Sequence, residues 1–156
     1  MRVGDVCSPR VVLADPEASL RDAALQMRNE HVGALLVAER EGGILRPAGI
    51  LTDRDIVVAV IAFPEARPEN IRVADAMSTD LETAREDEGL FEVVQRMSER
   101  AVRRLPVVRV DGSLLGIVTL DDVLRVLSAE LGQLAEGLRW GRMRERGRRA
   151  PVAAPQ

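Results

Sequence analysis

The sequence has no lysine and no tyrosine, and it has only one histidine, His31, and one cysteine, Cys7. All 22 basic residues are therefore arginine. Without lysine there is no phosphate-loop lysine, no Schiff base and no lysine general base. One cysteine and one histidine exclude a structural zinc site or a disulfide within one chain. A histidine-dependent triad would have to use His31. Long hydrophobic runs are also missing. A run such as Ile56–Phe63 falls far short of the ~20 residues of a membrane span. Met1–Asp15 carries charges at Arg2, Asp5, Arg10 and Asp15, so no secretory leader is expected. With cysteine so sparse, a reducing compartment fits. The expectation is a soluble, cytoplasmic protein with no membrane partner.

What is present is a chain of 156 residues, 46% hydrophobic and 30% charged. That is enough for one domain or two small packed ones. The net charge of −3 is unevenly spread. Residues 139–156 hold six arginines against Glu145, a balance of +5, which leaves −8 on residues 1–138. The sequence is an acidic body with a basic tail.

The body repeats itself. Met27, Val32, Leu35 and Val37 recur as Met97, Val102, Leu105 and Val107, at an offset of 70. Gly49, Ile50, Thr52 and Asp55 recur as Gly116, Ile117, Thr119 and Asp122, at an offset of 67. The change of three places a longer loop at Ala38–Ala48. Upstream, the segment from Leu20 answers the segment from Leu90. The unit is roughly 60 residues long and reads as β-α-β-β-α, an α/β pattern. The expected helices are about Ser19–Glu30, Thr52–Val60, Leu90–Arg100 and Leu120–Leu131. The expected strands are Gly33–Val37, Ala48–Leu51, Leu105–Val110 and Leu114–Val118. Asp111-Gly112 between apolar runs signals a hairpin. The Leu, Val and Met stripes read as core.

The repeated Gly-h-h-Thr-x-x-Asp segment (h, hydrophobic) sets Thr52 and Thr119 where a strand hands over to a helix. The hydroxyl either caps the helix or bonds a phosphate oxygen. Asp55 and Asp122 follow on the first turn, where each either completes a capping box or accepts ribose hydroxyls. Arg103 and Arg104 are either surface charge or a phosphate fork. His31 either complements a helix dipole or reaches a phosphate. Cys7 reads as a small packed residue. Asp111, Asp121 and Asp122 fit no calcium-loop spacing, and no metal is expected.

These residues resemble the cystathionine-β-synthase (CBS) domain pair, or Bateman module. Arg103–Val108 followed by Asp111–Val123 is similar to the family signature, and Gly49–Ile56 to its frequent first-repeat form. Leu36 departs where the second repeat has Pro106, Ala38 departs where the family often has an acid, and the loop Glu41–Pro47 is longer. The resemblance implies tandem CBS domains packed as a pseudo-two-fold pair. Residues 1–62 would form repeat 1, 63–73 a linker, 74–131 repeat 2 and 132–156 an arginine-rich, partly disordered extension. It also implies an adenosyl ligand, AMP, ADP, ATP or S-adenosylmethionine, with no cofactor required. Carried over, one cleft would use Thr119 and Asp122 with Ser8–Val11, Val32, Gly33 and Ala34. The other would use Thr52 and Asp55 with Ser78–Leu81, Val102, Arg103 and Arg104. Only the second then holds the arginine pair, which makes it the better polyphosphate site. The implied function is regulatory, not enzymatic: a homodimer whose ligand shifts a conformational equilibrium read by a separate effector protein. The segment Arg139–Arg149 admits two readings, a nucleic-acid contact or a solvated helix extension packing on the acidic body or on a neighbouring subunit. The glycines there argue against a formed recognition helix.

Overall fold

In the computed structural model residues 1–148 are described, with side chains through Trp140. Met1–Leu120 form one compact unit, and the described residues from Asp121 onward belong to a second. In the first unit, helix α1 (Leu20–Glu30) buries Leu20, Ala23 and Met27, the one-turn spacing that its sequence showed. Helix α4 (Leu90–Glu99) buries Leu90, Val93 and Met97, each 70 residues on. Each helix belongs to a three-stranded sheet of the same design. The first sheet is β1 (Leu13–Ala14), β2 (Ala34–Glu41) and β3 (Ile44–Thr52), and the second is β4 (Ala84–Arg85), β5 (Arg104–Val108) and β6 (Leu114–Thr119). In both, the outer short strand runs parallel to the middle one, and the last two form an antiparallel hairpin. Helix α2 (Asp53–Ile61) follows β3, a short helix α3 (Val73–Ala76) opens the second repeat, and α5 (Leu120–Arg148) follows β6.

The longer first loop is mostly strand. Glu41 pairs with Ile44 across Gly42 and Gly43, whose φ angles are 59° and 86°. Positive φ at both central residues is what a two-residue hairpin turn needs, and glycine adopts it without strain. Strand pairing here extends to Glu39–Arg46 and Arg40–Leu45, and the run Glu39-Arg40-Glu41 carries no apolar–polar alternation for a sequence reading to detect. A register shift at Val37/Ala38 takes up the irregularity.

The two repeats exchange their lead-in segments. Ser8 N–H donates to Ile117 O at 2.8 Å, and Ile117 N–H donates back to Ser8 O at 2.9 Å. Seventy residues later, Ser78 and Ile50 make the same pair at 2.9 and 3.0 Å. The lead-in to repeat 1 thus lies on the last strand of repeat 2, and the reverse. Val73, fully buried, closes the first core beside Leu20, Leu35 and Leu51. Val3, also fully buried, sits in a 3-10 turn (Val3–Asp5) against β4 and β6. Backbone bonds fasten both ends: Leu20 N–H to Ile71 O, Val73 N–H to Ala18 O, Val3 N–H to Glu88 O and Leu90 N–H to Met1 O. Arg72 adds ion pairs to Glu17 at 3.0 Å and Asp75 at 2.9 Å.

This exchange explains the repeated glycines. A Cβ on Gly116 would collide with the Ser8 backbone carbonyl, and one on Gly49 would lie 3.0 Å from Ser78 O and 2.7 Å from Met77 Sδ. Strand and lead-in approach closely only because neither position has a side chain.

Helix α5 is longer than the expected Leu120–Leu131 and runs unbroken to Arg148. Glycine costs about 1 kcal/mol in a helix but does not break one as proline does, and Leu, Ala, Glu, Gln and Arg dominate between the glycines. Residues 149–156, which carry the rest of the tail expectation, lie outside the described residues, as do the side chains of 141–148.

Two stability outcomes follow. Gly116→Ala should cost about 1–3 kcal/mol through overpacking against backbone. Gly132→Ala, where a Cβ meets nothing within 4 Å, should gain up to about 1 kcal/mol. Thermal melts of the two variants should shift in opposite directions; equal shifts would refute the close-approach argument. The second concerns acid. Arg72 holds the Asp75 carboxyl below its ordinary 3.8, and the Ser113 hydroxyl and amide do the same for Asp111. A backbone hydrogen bond and then Arg21 lower Glu69 from 4.5. Carboxylates depressed in the folded state add stability above their unfolded pKa and lose it as pH falls through the folded value. Melting temperature should therefore decline modestly as pH drops below about 4, the groups being solvent-exposed. Asp75→Asn should flatten that decline.

Candidate ligand cleft

The two sheets lie side by side through β3 and β6, the strands that carry the Gly-h-h-Thr motifs. Beside them is a cavity of about 120 Å³ lined by Arg10, Val11 and Val12, by Val32, Ala34 and Leu36, by Ile50, and by Arg104, Ile117 and Thr119. The Ser8–Ile117 bridge brings the segment of Arg10 and Val11 to this place. Leu36 N–H donates to Val12 O at 3.0 Å and holds the segment's other end. Ala34 and Leu36, Ile50 and Thr52, and Ile117 and Thr119 are each two apart on a strand, so each pair shares a face.

The cavity brings together Val11, Val32, Ala34 and Thr119, which the sequence grouped in one cleft. It adds Arg104, which the sequence had grouped with Thr52 and Asp55. Register is the reason: Arg104 is the direct cross-strand partner of Thr119, as Ala34 is of Thr52. The cavity beside Thr119 is therefore not without cation, since Arg10 and Arg104 both line it. Arg10 also meets Glu30 at 3.3 Å on the open surface. Sequence reasoning missed Val12, Leu36, Ile50 and Ile117. The signal was there, because each stands at an even spacing from a predicted residue or extends the Ser8–Val11 stretch.

The other predicted residues are placed as follows. Gly33 and Arg103 serve through their backbones, whose carbonyls accept from Asp53 N–H at 3.1 Å and Leu120 N–H at 3.0 Å. The Arg103 residue is exposed, Val102 half-buried. Ser78 bonds Ile50, two residues before Thr52, and Leu81 N–H closes a tight turn on Thr79 O at 2.9 Å. Asp122 is on the first turn of α5, in the second unit, and pairs with Arg125. His31 ends α1 in the left-handed region, φ 55°, and Ala101 holds the matching place after α4 at φ 53°.

Thr52 and Asp55 form a capping box. Asp55 N–H donates to Thr52 Oγ1 at 3.2 Å, Thr52 N–H donates to Asp55 Oδ2 at 2.8 Å, and the threonine hydroxyl donates to the same oxygen at 2.6 Å. The cap orders this loop in advance of any ligand. Its contacts fall on Oδ2, so Oδ1 is not committed to the cap.

Among the described residues no helix is long and apolar enough to cross a membrane, and no group of His, Cys, Asp and Glu is placed to hold a metal ion.

A sequence profile of the CBS domain matches residues 3–62 and 73–129. The chain belongs to the CBS domain family, as a pair of tandem repeats. An uncharacterized protein of Methanopyrus kandleri, MK0525, is 33% identical over 124 residues, which are 80% of this chain and 61% of that protein. The chain thus spans about three-fifths of that relative's length. The CBS domain pair of MJ0100, solved with 5'-methylthioadenosine and S-adenosyl-L-methionine, is 26% identical with a TM-score of 0.70. The match covers 83% of this chain and 98% of that one. The cytosolic domain of the Mg2+ channel MgtE, solved with ATP, is 29% identical with a TM-score of 0.66, covering 80% and 48%.

The capping role of Thr52 is measurable by itself. Thr52→Val should lower unfolding free energy by about 1 kcal/mol, whereas Thr52→Ser, which keeps the acceptor, should cost little. Two indistinguishable denaturation curves would remove the cap from the account.

Proposed function

We propose that this protein is a regulatory adenosyl-binding module and not an enzyme. The observation that carries the reading is the cavity in which Thr119 and Arg104 of one repeat face Val11, Val32 and Ala34 of the other. Its apolar wall of Val11, Val12, Val32, Leu36, Ile50 and Ile117 suits the flat face of an adenine. The Thr119 hydroxyl suits a ribose or phosphate oxygen, and the guanidinium groups of Arg10 and Arg104 suit a phosphate tail or a carboxylate. The pseudo-symmetric position, with Thr52, Asp55, Ser78, Leu81, Val102 and Arg103, is a second candidate for the same ligand class. The solved relatives' complexes with S-adenosyl-L-methionine, 5'-methylthioadenosine and ATP support this class.

A ligand in this cavity touches both repeats and so favours the arrangement in which they are closed upon it. A homodimer in the cytoplasm, read by a separate effector protein, is the setting in which that shift acts. Nothing in the cavity looks like a nucleophile with its base: Thr119, two arginines and apolar side chains line it.

A thermal-shift panel of AMP, ADP, ATP and S-adenosylmethionine tests the reading, because a ligand that binds only the native state raises the melting temperature. At least one should do so. Arg104→Ala should weaken a phosphate-bearing ligand roughly tenfold, about 1.4 kcal/mol, and leave adenosine unaffected. Arg103→Ala reports on the second position separately. A flat panel would overturn the ligand class; unchanged nucleotide affinity in Arg104→Ala would overturn its role in the cavity.

A further inference from the structure

From Ser128 to Trp140 every residue of α5 is exposed. An isolated helical stretch of that length is marginal in water, so a surface is needed to hold it. The helix carries Leu120, Leu124, Leu127, Leu131, Leu134 and Leu138, at spacings of 4, 3, 4, 3 and 4. That is the a/d seam of a heptad, here leucine at both positions. Leu124, Leu131, Leu134 and Leu138 are 61–68% exposed. Ser128, Ala135 and Gly137 flank the seam with little bulk, which lets a second helix come close. Charge then selects the occupant and its direction. Residues 120–136 carry Asp121, Asp122, Glu130 and Glu136 against Arg125, whereas 139–148 carry five arginines against Glu145. Two such helices side by side in parallel would set like charge on like. Antiparallel, the basic half of each lies along the acidic half of the other, and the helix dipoles oppose.

We propose that the leucine seam of α5 is a self-association surface, which pairs antiparallel with the α5 of a second copy of this chain, near Leu134. The inference rests on the homodimer part of the function above, supplies its surface, and is independent of ligand binding. The full chain should sediment as a dimer or a higher even assembly. Leu131→Asp combined with Leu134→Asp should weaken association at least tenfold, while Leu134→Met keeps it. High salt should loosen the assembly, since the charges attract. In a Cys7→Ser background, Leu134→Cys should oxidise to a linked pair and Leu124→Cys should not. A monomeric wild-type chain overturns both the dimer and the seam. An assembly indifferent to the double Asp variant overturns the seam alone, and self-linking at Leu124→Cys as ready as at Leu134→Cys overturns the antiparallel direction. The ligand panel, run on the Leu134→Cys protein, reports separately whether the adenosyl reading stands.

Discussion

Two reciprocal backbone pairs, Ser8 with Ile117 and Ser78 with Ile50, are the constraint on which the rest of the first unit depends. They are ordinary hydrogen bonds, each contributing about 1 kcal/mol net. Their weight comes from where they are made. Each ties the start of one repeat to the last strand of the other, so the two three-stranded sheets are linked through the lead-in segments of both repeats. The buried valines next to them, Val3 and Val73, close each core with a side chain from outside the contiguous sheet.

The same constraint makes the cavity. Because the lead-in strand crosses to the other sheet, Arg10, Val11 and Val12 stand opposite Ile117 and Thr119, and a ligand held there touches both repeats. The glycine of each Gly-h-h-Thr motif is part of this arrangement and not of ligand chemistry: it clears room for the crossing backbone. At position 52 the threonine starts a helix through a capping box, which fixes the first turn of α2.

Several features were legible before the fold. The offsets of 70 and 67 predicted two copies of one unit, and the buried residues Leu20, Ala23 and Met27 answer Leu90, Val93 and Met97 as the periodicity required. Val11, Val32, Ala34 and Thr119 were grouped by resemblance and lie on one cavity. The Glu39–Arg46 pairing was not legible, because the run Glu39-Arg40-Glu41 leaves no alternating signal. The extent of α5 was not either, since glycines at 132, 137 and 141 weaken a helix without ending it. Assigning Arg104 to its cavity needed the β5–β6 register, which a sequence does not state.

By itself the sequence determined the inventory and its periodicity: arginine as the sole basic side chain apart from His31, no lysine chemistry, and two units with one pattern. These are properties of residue type and spacing, and spacing alone decides which side chains share a helix or strand face. The tertiary structure decided which repeat's lead-in lies on which sheet, and hence which residues face one another across the cavity. That choice is made by backbone pairing over some 110 residues of separation, between Ser8 and Ile117. Backbone groups are the same at every position, so no local pattern of side chains encodes it.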